Sequence, residues 1–309
     1  MSARPDWARL GNRRPKARRS TTPESPRRCG RDTTRDGCRS RCAGLKRHWP
    51  AYAAPWRSRA GVMPDSPLML SVVVPAYNEE AVIEATLRAL IGHLDQQDFP
   101  YEILVVNDKS RDGTEAAVQA LEQTAPRLRH ITNPGPHGYG CAVRCGLRAF
   151  LGDAVVVAMA DGSDSPEDVV AYFRKIEAGY DCAFGMRFGP GATVEGYPRF
   201  KRLANRAGNR LIAWLTGSDY MDFTNGFKCF RRDTIARMEP LVGAQFNLTV
   251  EMSIKAVLSG ARYAVVPNNW IQRSGGVSKF NLISLGGLYL LTIAYCLIQH
   301  RLARGGIVR

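Results

Sequence analysis

The sequence predicts an α/β protein with a mainly parallel sheet flanked by helices. Two observations predict it. Between residues 70 and 190, short β-branched runs alternate with amphipathic stretches, the signature of strands linked by crossover helices. Three of these runs, Val72-Val73-Val74-Pro75-Ala76, Leu104-Val105-Val106 and Val155-Val156-Val157-Ala158, stop abruptly at polar residues. A buried parallel strand reads this way when its carboxyl end opens into a ligand site.

Taken in order, the pattern places strands at 70–75, 102–107, 128–132, 153–159 and 181–185, and helices at 79–94, 112–124, 138–150 and 166–178. Ser165-Pro166-Glu167-Asp168 is a helix start, with a cap, a first-turn proline and acids near the positive dipole end. Downstream, a basic amphipathic helix is expected over 199–216, carrying Arg199, Lys201, Arg202, Arg206 and Arg210. A strand near 227–230, a helix over 246–259 and a strand over 262–266 complete the expected domain, 67–279.

Residues 280–309 read as an apolar membrane-associating segment with a short basic tail. Within it, 282–298 holds only Ser284 and Thr292 as polar residues. As a helix it would run about 26 Å, just under a ~30 Å hydrocarbon core, so it is expected to span the bilayer once or lie in its interface. A buried core helix is the alternative.

The net charge of +15 belongs to the leader. Residues 1–62 carry 17 Lys+Arg against 4 Asp+Glu, whereas the remainder carries 26 against 24. Rich in Arg, Pro, Ser and Thr and without apolar periodicity, residues 1–66 are expected to be a disordered basic leader. It has no apolar core of the secretory type. Nucleic acid is not an expected partner of the folded part. The eight cysteines lack zinc-site spacing, which favours a reduced domain.

The polar strand ends suggest chemistry. Pro75, Tyr77, Asn78 and Glu79 offer an aromatic face with amide and carboxylate edges, and Asn107, Asp108 and Ser110 form a second edge beside them. Met159-Ala160-Asp161-Gly162-Ser163-Asp164 supplies hard oxygen ligands for Mg²⁺ or Mn²⁺, with Asp161 the first candidate and Asp164 the second. Asp164 could equally cap the following helix. No GxGxxG follows the first strand, which removes support for a dinucleotide-binding protein.

Six segments in order give a resemblance. Pro75-Ala76-Tyr77-Asn78-Glu79, Asn107 to Thr114, Gly138 to Arg144, the Asp161 region, Gly185-Met186-Arg187-Phe188 with Asp222 to Phe227, and Arg273 to Lys279 resemble the family-2 glycosyltransferases of GT-A fold. Among these the chain is similar to polyprenyl-phosphate (dolichyl-phosphate) sugar transferases over about 70–281. The resemblance implies an inverting glycosyltransferase that moves a sugar from a UDP- or GDP-linked donor to a polyprenyl phosphate, in cell-wall or glycolipid synthesis. Its expected location is the cytoplasmic face of a membrane, peripheral or with a single C-terminal span. Carried across, Pro75, Tyr77, Asn78, Glu79, Asn107, Asp108, Arg273, Ser278 and Lys279 would hold the nucleotide-sugar, and Asp161 and Asp164 the metal. Asp161, Arg187 and Arg202 would be catalytic, the two arginines gripping the acceptor phosphate with Asn205 or Arg206 nearby. The chain departs from the family pattern twice: Asn107 replaces a carboxylate, and Met159 occupies the first position of an Asp-x-Asp motif.

An ionised phosphate acceptor needs orientation and charge screening rather than a general base. A hydroxyl acceptor would need one, for which Glu251 is the candidate. The opposing reading of Glu251 is an internal helix carboxylate paired with a loop arginine. A non-catalytic nucleotide-sugar-binding protein is the remaining alternative.

Overall fold

A computed structural model describes residues 67–306 other than 190, 193, 196–198, 269 and 272–281. The basic leader, and with it the expected 1–66 tail, lies outside the described residues, as do Arg273, Ser278 and Lys279.

β-branched residues are dense in β1 (Leu70–Ala76), β2 (Tyr101–Asn107) and β4 (Ala154–Val157), with β3 (Leu128–Thr132) and the β-branch-free β5 (Cys182–Met186) completing the first five strands. Between them run α1 (Ile83–Leu94), α2 (Thr114–Glu122), α3 (Tyr139–Ala149) and α4 (Pro166–Glu177). The remaining elements are β6 (Val194–Glu195), α5 (Arg199–Thr216), β7 (Lys228–Arg231), α6 (Arg232–Met238), α7 (Asn247–Leu258), β8 (Tyr263–Pro267), β9 (Trp270–Ile271) and α8 (Leu282–Arg304). Seven strands form one sheet in the order β3-β2-β1-β4-β7-β5-β8, and β6 pairs β9 separately.

Both faces of the sheet are covered, which is why its strands carry near-continuous apolar runs. Val72, Val74, Ile103, Val105 and Val156 pack against Leu87 and Leu90 of α1 and Phe173 and Ile176 of α4. Their alternates Val73, Leu104, Val106, Val155 and Val157 join Val143 and Leu147 of α3 with Leu248 and Met252 of α7. Ser165 caps α4 as expected, its hydroxyl accepting the Asp168 N–H at 3.2 Å.

The start of α1 differs from expectation, and α6, β6 and β9 are elements beyond those expected. Helix α1 begins at Ile83 rather than 79, because Asn78 is left-handed (φ 55°) and the Glu79 and Glu80 N–H groups donate to Thr114 and Asp112. Strand β7 runs antiparallel between β4 and β5, while every other pairing in the main sheet is parallel. The carboxyl ends of β1, β2, β4 and β5 and the loop entering β7 therefore share one rim.

Helix α8 corrects the expected C-terminal span. No described helix is long and apolar enough to cross a membrane. Instead α8 lies on α7: Ile293 and Cys296 are buried, and Asn247 Nδ2 donates to Thr292 Oγ1 at 3.0 Å. Thr292 thus serves a helix–helix hydrogen bond within the fold.

Candidate active site

The rim has three parts. At the first, the loops after β1 and β2 are stitched together. Asn78 N–H donates to Ser110 Oγ (3.1 Å) and Arg111 N–H to Asn78 Oδ1 (2.8 Å). Glu79 N–H donates to Thr114 Oγ1 (2.8 Å), and Gly113 N–H to Glu80 Oε2 (2.9 Å). Asn107 sits beneath, its Oδ1 accepting the Ser110 N–H at 3.0 Å.

Two of the residues expected to hold a nucleotide, Pro75 and Asp108, are buried. Pro75 is a buried residue of β1, in register with Val106. Asp108 is only 2% exposed, and its carboxylate is spent on Asn133 Nδ2 (2.7 Å), Gly138 N–H (2.8 Å) and His137 Nδ1 (2.8 Å). Asp108 therefore fastens the 133–138 turn to the sheet. Tyr77 and Glu79 are half-buried and Asn78 exposed at this corner. His137, which the sequence did not single out, packs its ring 4.2 Å from that of Tyr77. Nothing in its local sequence marks it, since only the fold brings residue 137 to the end of β1.

At the second part, beyond β4, Asp161 Oδ1 accepts the Ser163 N–H (3.1 Å) and Asp164 Oδ2 accepts the Met159 N–H (2.9 Å). The second oxygen of each carboxylate makes no hydrogen bond among the described residues. Asp164 thus reaches back to the segment after β4, where Met159 supplies no carboxylate. Burial pushes its carboxyl up to about 7, against the Met159 hydrogen bond, and the charges of Asp161 and Asp168 push the same way. Among the described residues no cluster of three His, Cys, Asp or Glu could hold a metal. Two adjacent carboxylates with spare oxygens fit a hard divalent cation that takes its other ligands from water and substrate phosphates.

The third part is cationic. Arg187, just past β5, grips Asp222 through Nε (3.0 Å) and Nη2 (2.7 Å), and its backbone N–H donates to the same carboxylate at 2.9 Å. Nη2 also donates to Thr224 Oγ1 (3.0 Å), which accepts from Asn205 Nδ2 (2.7 Å) as well. The guanidinium carbons of Arg187, Arg202 and Arg206 lie 5.5, 5.2 and 5.9 Å from the Phe188 ring centre. Arg202 and Arg206 are exposed, and no described carboxylate pairs with either. Arg187 is near enough to Asp164 to favour its ionised form, so the acidic and cationic parts share the rim.

Below this corner lies Lys228, 1% exposed and also missed by the sequence reading. Its ammonium donates to the carbonyls of Phe223 (3.3 Å) and Asn225, holding the loop that carries Asp222. Burial pulls its pKa down to about 7, partly opposed by the charge of Asp222.

Glu251 is sealed in α7. Its carboxylate accepts from the Val242 N–H (3.0 Å) and Gly243 N–H (2.6 Å) and pairs with Lys255 Nζ at 2.9 Å. It is an internal helix carboxylate, as the opposing reading held, though its partner is a lysine on its own helix rather than a loop arginine.

Residues 71–238 match the family model described as glycosyl transferase family 2. The chain belongs to the family-2 glycosyltransferases. This glycosyltransferase is 29% identical over 216 residues to the polyprenol monophosphomannose synthase of Mycolicibacterium smegmatis, covering 68% of this chain and 80% of that one. It is 28% identical to the glycosyltransferase AglD of Haloferax volcanii, covering 76% of this chain but 38% of that longer protein. Its fold resembles the crystal structure of glucosyl-3-phosphoglycerate synthase from Mycobacterium tuberculosis, which contains Mn²⁺, UDP and phosphoglyceric acid. The TM-score is 0.55 at 22% identity, over 78% of this chain and 80% of that one. The sheet is therefore of the GT-A type.

Proposed function

We propose that this glycosyltransferase moves a sugar from a nucleoside-diphosphate sugar to a polyprenyl phosphate at a membrane surface. One observation carries the reading: Arg202 and Arg206 present two guanidinium groups unpaired with any described carboxylate, on the same rim as the Asp161–Asp164 pair. Such a corner suits an acceptor that arrives already anionic, because guanidinium groups hold phosphate oxygens by paired hydrogen bonds. The similarity to a polyprenol monophosphomannose synthase supports the same acceptor class.

In this reading the residues divide the work. Tyr77, Asn78 and Glu79 hold the nucleotide at the stitched corner, with Asn107 and Asp108 shaping it from below. Asp161 and Asp164 hold a divalent cation of the Mg²⁺ or Mn²⁺ class, which offsets charge on the departing diphosphate when bound. Arg202 and Arg206 orient the lipid phosphate, and Arg187, fixed by Asp222, adds field at the same place. An acceptor phosphate oxygen forms the new bond to the anomeric carbon as the bond to the donor diphosphate breaks, leaving the nucleoside diphosphate and inverting the anomeric centre. No proton need be removed from an ionised phosphate, so no general base is required.

The full chain, incubated in detergent micelles with polyprenyl phosphate, Mg²⁺ or Mn²⁺ and labelled UDP- or GDP-sugars, should place label in the organic phase with one donor. Absence of extractable label across a full donor panel would reject the reading.

A further inference from the structure

Helix α5 is inside out. Phe200, Leu203, Leu211 and Trp214 fall on one stripe at helical spacing, yet they are 76%, 68%, 42% and 77% exposed. The face turned to the protein carries Asn209, Ile212 and Ala213, of which Asn209 is hydrogen-bonded to Asn205 and Thr224. A contiguous exposed apolar stripe holding a tryptophan and a phenylalanine is a contact surface rather than ordinary scatter. Arg202, Arg206 and Arg210, all exposed, form a row at four-residue steps that leads from the rim side of the helix at Arg202 to the edge of the stripe at Arg210, and α5 contains no Asp or Glu.

That charge pattern selects the occupant. A second copy docked through the same face brings no acidic side chain of α5 to meet these arginines. An anionic bilayer instead accepts the apolar stripe in its interfacial layer and the arginines among its phosphates. The same helix places Arg202 and Arg206 beside Phe188, at the cationic part of the rim.

We infer that the outward face of α5 is a bilayer-docking surface. Phe200, Leu203, Leu211 and Trp214 enter the membrane interface, Arg210 and Arg206 lie at headgroup depth, and Arg202 faces the rim. The inference rests on the proposed lipid-phosphate acceptor for its purpose, since docking this helix delivers the rim to the depth where a polyprenyl phosphate carries its charge. It also supplies membrane attachment without a transmembrane helix.

The test is flotation of the full chain with phosphatidylcholine vesicles, with and without phosphatidylglycerol. Wild type should partition at least about tenfold better onto the anionic vesicles. The double variant Phe200→Ser with Trp214→Ser should lose at least about tenfold of that partitioning at unchanged Tm. It should keep its transfer rate to polyprenyl phosphate in detergent micelles. Should the double variant lose Tm, quenching by bromolipid, compared between wild type and Trp214→Phe, reports the depth of Trp214 directly; no difference between the two overturns the inference. Wild type that ignores both vesicle types while transferring sugar in micelles overturns docking and leaves the acceptor reading intact. Vesicle binding lost in the variant, with no transfer to lipid phosphate by either protein, supports docking and rejects the acceptor. Binding abolished by Leu290→Ser with Leu291→Ser on α8, but not by the α5 changes, would assign docking to the wrong helix here. A dimer that the α5 changes convert to monomer, with vesicle binding unaltered, would make the occupant a second copy and overturn the inference.

Discussion

Arg187 and Asp222 form a two-pronged ion pair, Nε and Nη2 on opposite carboxylate oxygens at 3.0 and 2.7 Å, in a corner where Asp222 is almost wholly buried. The pair neutralises one of the three guanidinium groups around Phe188 and leaves the other two for a ligand. Removing one member of a buried pair strands its partner's charge. Asp222→Ala should therefore lower the unfolding free energy by about 3 kcal/mol in urea titration, while Thr224→Ala, which removes one hydrogen bond from the same network, costs about 1 kcal/mol.

Arg202→Ala and Arg206→Ala should act on the acceptor and not on the fold. Each is exposed, so Tm should be unchanged. Loss of a charge-assisted contact to phosphate is worth about 1.5–3 kcal/mol, which raises KM for polyprenyl phosphate roughly ten- to hundredfold. KM for the nucleotide-sugar should hold constant in the same initial-rate series, and lysine at either position should recover only part of the loss.

Glu251 separates a phosphate acceptor from a hydroxyl acceptor. Its carboxylate closes the 242–243 turn and neutralises Lys255, so Glu251→Gln should cost about 3 kcal/mol of stability. At a temperature where the variant remains folded, kcat should stay within a few-fold of wild type. A loss of several orders of magnitude in a folded variant would assign it the role of base.

Lys228 should leave a signature in the pH dependence of stability. Folded, it releases its proton at about 7, whereas an unfolded lysine does so at about 10.4. Between these values the unfolded chain binds the extra proton, so the contribution of Lys228 to stability rises with pH, by at most about 1.4 kcal/mol per unit. The unfolding free energy of wild type minus that of Lys228→Met should increase from pH 7 to pH 9. Taking the difference cancels the buried cysteines, which titrate in both proteins.

Met159→Asp should tighten divalent-metal binding. It adds a carboxylate beside the Asp164 oxygen that now accepts the Met159 N–H. Calorimetric titration with Mn²⁺ and a nucleoside diphosphate should show a lower Kd than wild type, and Asp161→Asn a higher one.

Much of this was legible from periodicity. The strands β1 to β5 and the start of α4 lay within a residue or two of the expected positions, because short apolar runs between amphipathic stretches and a Ser-Pro-Glu-Asp start are local signals. The direction of β7 was not legible, since four residues carry no information about their neighbours in the sheet. Asp161, Asp164 and Arg187 lie near one another at the rim, with Arg202 over Phe188 at its cationic part. His137 and Lys228 escaped notice because their importance comes from long-range packing, Lys228 reading in sequence as an ordinary surface cation. The turn-fastening contacts of Asp108 were not legible for a related reason: a carboxylate at a strand end looks the same whether it faces a ligand or fastens a turn.

The cross-ties among Asn78, Glu79, Glu80, Ser110, Asp112, Gly113 and Thr114 weld two loops into one unit before any substrate arrives. Little conformational freedom is then left to surrender there when a donor binds. Substitutions on either side of that weld should show strong non-additivity in double-mutant cycles, because severing one thread loosens both loops at once.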